Sequence, residues 1–248
     1  MMRLHVKSAH GQQPVLATLP NRFAIDDAGG DVTILSGAAL ADAGDGAVMI
    51  TEPGLASAEA LRALADGDRQ VGLALAAAPA LPEAALTASH AHNDDIPLIV
   101  DAAAETNGPL RAALLELLML LDTLGCHAER LRVLADTPGE IVLVVHSADG
   151  WNGARVSARR SFRSRFALET VSRSFRREIV IDDVAVSTPA EVRLLDATGT
   201  RTALPRYEGG LRASWKALHM RITEGTGDDG QIETAIRLLE LLDMAGVA

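Results

Sequence analysis

Aromatic side chains are scarce in this chain of 248 residues: four Phe, two Trp and one Tyr make up 3% of it. The interior must therefore be filled by Ala, Leu, Val and Ile, which suits helices packed on sheets and leaves little with which to stack nucleobases. A single cysteine, Cys126, excludes an internal disulfide. No stretch approaches the roughly 20 apolar residues of a membrane-spanning helix, and Met1 to Leu16 lacks the apolar run of a secretory leader, so a cytoplasmic location away from membranes is expected. Basic residues are outnumbered, 23 Lys and Arg against 33 Asp and Glu, for a net charge of −10. A nucleic-acid partner is accordingly not expected. Internal repeats and low-complexity linkers are missing too. So is the G-x-G-x-x-G spacing that lets backbone amides approach a pyrophosphate: Gly11, Gly29, Gly30, Gly37, Gly44 and Gly46 never take it. No cofactor is expected on that ground.

What is present is organised around Ala47 to Asp68. Val48, Met49 and Ile50 form a β-rich run, Thr51-Glu52-Pro53-Gly54 ends it, and Ser57 caps a helix whose Leu61 and Leu64 share one face. In an open α/β sheet such a turn lies at the carboxyl end of a strand, where ligands bind. Further strands are expected at Leu4 to Lys7, Pro14 to Leu19, Arg22 to Ile25, Asp31 to Leu35 and Val71 to Leu75, with a short helix from Ala38 to Ala43. Pro79 to Pro82 marks a boundary, dividing the chain into 1–78 and 79–248. A short helix from Glu83 to Ser89 then precedes His90-Ala91-His92-Asn93-Asp94-Asp95, the one cluster with metal-ligand residue types. No distant partner at diagnostic spacing supports a metal there, and it reads as a solvated loop.

The second unit opens with a strand at Ile96 to Asp101 and the longest helix, capped by Asn107 with Pro109 in its first turn. Leu110, Leu114, Leu117, Leu121 and Leu124 give it an apolar stripe that Leu115, Leu118 and Leu120 widen. Seven strands follow between Arg130 and Leu204, then two amphipathic helices carrying Leu211, Trp215, Leu218 and Ile222, and Ile232, Ala235, Ile236, Leu239 and Leu242.

Val48, Thr51, Glu52 and Pro53, laid on the pattern V-x-x-E-K-P-L-A, resemble the Gfo/Idh/MocA family of glucose-fructose oxidoreductases and inositol dehydrogenases, and the residues from Asp31 to the end follow the architecture of that family. The resemblance implies a reduced Rossmann-like α/β half, residues 1–78, followed by a large, mostly antiparallel sheet covered by helices on one face, whose open face commonly joins subunits. It also implies chemistry that this chain has altered. Glu52 stands where the family has its lysine. On a gapless match from Thr106 to Gly125, Leu115 and Leu118 stand where it has the proton-transfer His and its assisting Asp.

Two functions from different classes follow. With fingerprint, lysine and histidine all missing, the favoured one is a non-catalytic accessory or scaffold subunit, cofactor-free, forming a homo-oligomer or hetero-oligomer through its sheet face and retaining a sugar-binding cleft. The alternative is a divergent NAD(P)-dependent sugar oxidoreductase or isomerase, in which Glu52 and Glu116 supply acid and base. Arg155, Arg159, Arg163 and Arg165, part of a basic stretch in an acidic protein, are candidates for binding an anionic ligand or an interface, as is Trp151 at a loop tip. The plainer reading of the arginines is an open sheet face on which they pair with neighbouring carboxylates.

Overall fold

The computed structural model describes residues 2–7, 12–26, 29–67, 69–77, 99–147, 153–182, 189–205, 208–225 and 230–247. The expected helix at Glu83 to Ser89 and the His90 to Asp95 cluster lie outside them.

Alternating β and α signals in the first 77 residues produce a parallel sheet of five strands, β1 Leu4–Lys7, β2 Phe23–Ile25, β3 Val32–Ser36, β4 Ala47–Thr51 and β5 Val71–Leu73, in the order β2-β1-β3-β4-β5. The order reverses between β1 and β3, which is where a doubly wound sheet opens a crevice. Pro14 to Leu19 is not a strand. It holds the short helix α1, Gln13–Ala17, because Pro14 has the φ of a first helical turn and Leu16 is buried against the first sheet. Ser36 starts a 3-10 segment over Gly37–Asp42, kinked at Ala39, where a helix was expected. After β4 comes a 3-10 turn, Pro53–Leu55, and α2, Ala58–Ala65, capped as anticipated by Ser57, whose Oγ accepts from the Ala60 amide at 3.1 Å.

The second sheet has eight strands in the order β13-β12-β11-β10-β6-β9-β8-β7, antiparallel throughout except for β6 beside β9. They are β6 Ile99–Thr106, β7 Ala128–Thr137, β8 Glu140–Ser147, β9 Ala154–Arg160, β10 Arg165–Val171, β11 Phe175–Asp182, β12 Glu191–Asp196 and β13 Gly199–Thr202. Between β6 and β7 runs α3, Leu110–Thr123; it starts after Pro109 without a side-chain cap, so Asn107 is not its cap. Two helices close the chain, α4 Gly210–Glu224 and α5 Gly230–Met244.

The main core lies between the sheets. There the leucines of α3 meet Val48 and Ile50 of β4, Leu61 and Leu64 of α2, Leu239 and Leu242 of α5, and the inward rows of β6, β8, β9, β10 and β11. A smaller core covers the other side of the first sheet, where Met49, Leu4 and Phe23 meet Leu16 of α1 and Trp215 and Leu218 of α4. Trp215 is fully buried, edge-on to Phe23 at 5.1 Å, and its Nε1 donates to Gln12 Oε1 at 3.2 Å. The first sheet is thus covered on both faces, one of them by a helix from the far end of the chain.

Candidate active site

Strand β4 stops where Glu52 turns left-handed, at φ 49° and ψ 53°, the one non-glycine with positive φ among the described residues. Side chains on both flanks hold this turn. Thr51 Oγ1 donates to the Leu35 carbonyl at 3.2 Å, and Arg111, at the start of α3, donates through Nε to the Gly54 carbonyl at 2.8 Å. The same guanidinium meets Asp243 at 2.6 Å and the Val247 carbonyl, tying the turn to the end of α5. Two glycines permit close backbone approach. A Cβ on Gly54 would sit 2.5 Å from Ala112 Cα, and one on Gly210 would sit 2.2 Å from the Ala76 carbonyl oxygen. The turn is therefore pressed onto α3, and the exit of β5 onto α4.

Between these elements opens a cleft of about 250 Å³ at the carboxyl ends of β4 and β5, walled on the far side by the end of β6 and the start of β10. Its polar lining is Gln12, Thr51, Glu52, Thr106, Asn107 and Ser164, with Glu116 at its inner end. These are hydroxyl, amide and carboxyl groups, the set that hydrogen-bonds a polyhydroxylated ligand. Neither lysine nor histidine is among the described lining residues.

Glu116 is buried on α3 with its carboxylate under the exit of β5: Oε1 accepts from the Ala76 amide at 2.8 Å and Oε2 from the Ala77 amide at 3.0 Å. Burial raises its pKa to about 7, against the two amide hydrogen bonds, which favour the charged form. Each oxygen keeps a second lone pair, so the group can exchange a proton near neutrality while its position is fixed by the backbone. Leu115 and Leu118, which the motif match put in the proton-transfer roles, are both buried in the core. The ionisable residue of α3 that reaches the cleft is one position beyond the matched histidine. Asp122 is engaged elsewhere, by Arg237 and by His127 at 3.1 Å.

The structure brings Glu52 and Glu116 to one cleft and takes the arginine candidates away from it. Arg155, Arg159 and Arg165 project from the open face of the second sheet and meet carboxylates on adjacent strands: Arg155 with Asp101 at 3.3 Å, Arg159 with Glu105, and Arg165 with Asp182 at 3.0 Å. The Arg159 contact holds the Glu105 carboxyl below its ordinary range. Arg163 is exposed in the turn between β9 and β10. Trp151 lies outside the described residues. Gln12, Thr106, Asn107 and Ser164 carried no signal in the sequence beyond polar character at element ends, and Asn107 had a competing explanation as a cap. A larger concavity, about 670 Å³, lies at the opposite ends of the strands, between α2 and α5. Its arginines are already engaged, Arg62 by Glu240 at 2.5 Å, Arg69 by the Gly44 carbonyl at 3.0 Å and Arg237 by Asp122.

No protein-family model and no curated protein matches the sequence. Solved structures do match the fold. UDP-N-acetylglucosamine 3-dehydrogenase from Acidithiobacillus ferrooxidans superposes with a TM-score of 0.68 at 9% identity, over 99% of this chain and 98% of that one. A lysine-to-glutamate mutant of a 3-ketoreductase from Actinomadura kijaniata, in complex with TDP-benzene and NADP, gives 0.64 at 12% identity over 94% and 79%. An oxidoreductase from Agrobacterium radiobacter in complex with NAD+, L-tartaric acid and magnesium gives 0.61 at 9% over 98% and 87%. The chain has the fold of the Gfo/Idh/MocA-type oxidoreductases, as the resemblance implied.

These structures correct the expectation of no cofactor. Two of the three hold a nicotinamide dinucleotide on this architecture, which points to a nicotinamide cofactor rather than none. The residues present fit the nicotinamide end of such a group: the cleft adjoins the ends of β4 and β5 and offers the Gln12 and Asn107 amides and the Thr51 hydroxyl. Residues 8–11, which follow β1, lie outside the described part.

Proposed function

We propose that the chain is a divergent NAD(P)-dependent oxidoreductase acting on a carbinol of a sugar or sugar derivative, with Glu116 as the proton-transfer group. The observation that carries this reading is a carboxyl with a pKa of about 7, fixed by two backbone amides at the inner end of a cleft at the carboxyl ends of a parallel sheet. A nicotinamide bound at that cleft supplies hydride acceptance or donation. Removing hydride and proton from a carbinol gives the ketone, the reduced cofactor and one proton; the reverse consumes them. Glu116 as carboxylate takes the hydroxyl proton in oxidation, and as carboxylic acid returns it in reduction. Thr106, Asn107 and Ser164 orient the ring hydroxyls. The dehydrogenase from Acidithiobacillus ferrooxidans acts on a UDP-linked sugar, which supports a sugar derivative as substrate class. The scaffold reading rested on missing motifs alone, and a titratable group in the cleft weighs against it.

The test is calorimetric titration of the purified chain with NAD(H) and NADP(H), followed by turnover with a panel of sugars and nucleotide sugars. Micromolar cofactor binding and a turnover that Glu116→Gln lowers by roughly 10²-fold or more, with cofactor affinity kept, are expected. Absence of cofactor heat at high protein concentration, or a Glu116→Gln variant as active as the parent, sinks the reading.

A further inference from the structure

The covered face of the second sheet holds a second group of polar atoms that the cleft does not use. Phe166 of β10 lines the cleft, and Thr170, four residues further along the strand, lies about 13 Å away at the usual rise of ~3.3 Å per residue. Arg177 of β11 is directly opposite Thr170 in the antiparallel register. Both face inward: Thr170 shares a face with Phe166 and Leu168, and Arg177 with Ile179 and Ile181, four apolar residues of the main core. Thr170 is 1% exposed and Arg177 4%. Thr170 Oγ1 and Arg177 Nε have no hydrogen-bond partner among the described residues, and the guanidinium lies over the Phe175 ring, 5.4 Å from its centroid.

That arrangement is unlike the sheet's ion-paired arginines. Arg155, Arg159, Arg165, Arg176, Arg193 and Arg201 are exposed to solvent to a substantial degree and each meets a carboxylate. Arg177 is instead taken out of water, and no described carboxylate accompanies it. Burial lowers its pKa with no opposing charge to raise it. A buried cation without a counter-charge is strongly unfavourable, and an unpaired hydroxyl beside it adds to the cost. The two side chains share one chemistry: a guanidinium fork that only donates, and a hydroxyl free to donate. The complement of such a pair is a group that only accepts.

We propose that Thr170 and Arg177 form a binding site for a phosphate-type oxyanion, separate from the cleft, on the helix-covered side of the second sheet. The anion supplies the missing counter-charge and accepts from both donors. Its source is either free phosphate or the phosphate of a larger ligand, which carry the same chemistry.

The full chain tests this by calorimetric titration with inorganic phosphate at constant ionic strength in chloride, alongside Arg177→Met, which keeps the apolar stem, and Thr170→Val. Saturable binding by the parent is expected, with Kd at least tenfold weaker in Arg177→Met and severalfold weaker in Thr170→Val. A phosphate-dependent rise in Tm should occur in the parent and vanish in Arg177→Met. Should Arg177→Met not fold, Thr170→Val carries the same readout. Tighter binding of glucose 6-phosphate than of inorganic phosphate assigns the anion to a larger ligand, and equal binding assigns it to the free ion; both support the site. No saturable binding, or one Kd shared by all three proteins, overturns it. Glu116→Gln should bind phosphate as the parent does, so failure here and failure of the oxidoreductase reading are told apart.

Discussion

Glu52 and Glu116 line the same cleft and respond differently to being there. Glu52 keeps a left-handed backbone, which costs an L-residue about 1 kcal/mol. Glu52→Gly should recover about that much in urea unfolding with an unchanged m-value; a loss of stability would show that the carboxylate holds the turn in a way its backbone does not reveal. Glu116 has a pKa raised from an ordinary 4.5 to about 7. The native state then binds more protons than the unfolded chain between those values. Stability is fully present below pH 4.5, falls as pH rises through 7, and is lower by about 3 kcal/mol on the alkaline side. Denaturant titrations at pH 5 and pH 8 measure this directly, and Glu116→Gln should remove most of the difference; a slope that persists in the variant assigns it to other groups. Both glutamates could be picked out in the sequence as carboxylates near the right turn and helix. Which leucine-helix residue entered the cleft could not, because a slip of one position on a helix apolar around most of its circumference rotates the face by about 100°. Gln12 and Ser164 were less accessible still, since their nearness to Glu52 exists only after both sheets have packed.

At the scale of elements, the strand, turn and helix from β4 to α2 could be read almost as they stand, because capping, proline and periodicity agree there. Pro14 to Leu19 could not. A proline followed by Val15 and Leu16 suits an edge strand or a first helical turn equally, and burial of Leu16 in the smaller core decides for the helix. The join between the turn and α3 has its own test. The Cβ of Gly54→Ala would fall 2.5 Å from Ala112 Cα and 2.9 Å from the Arg111 carbonyl oxygen, backbone atoms that a rotamer change cannot move. A destabilisation of about 1–3 kcal/mol is expected by thermal or chemical unfolding, together with weakened cofactor binding as the cleft wall shifts. An unperturbed Tm would mean that α3 and the turn are free to separate.

At the scale of the whole molecule, no described residue covers the outer face of the second sheet. Ile99 is 59% exposed there, between the Arg155–Asp101 pair and Val171, and both signs of charge are present in matched rows. We propose that a second copy of the chain covers this face, since a surface carrying both donors and acceptors can complement its own rotated image. Sedimentation velocity should show a dimer that Ile99→Asp dissociates without lowering monomer stability by more than about 0.5 kcal/mol; a monomeric parent protein refutes it. Among the described residues no helix is long and apolar enough to cross a membrane. The layering of the two sheets was legible in outline from the switch between helix and strand periodicity. The return of α4 to the first sheet was not, because its contacts join residues nearly the full chain apart: His219 Nε2 lies 2.8 Å from the Met2 carbonyl oxygen, and its Nδ1 3.3 Å from Arg22. That closure bears on how the protein is made. While a ribosome is still producing residues 99–205, the parallel sheet already emerged has one face bare, with Leu4, Phe23 and Met49 waiting for Trp215. The amino-terminal sheet therefore cannot complete its smaller core until the penultimate helix has been made.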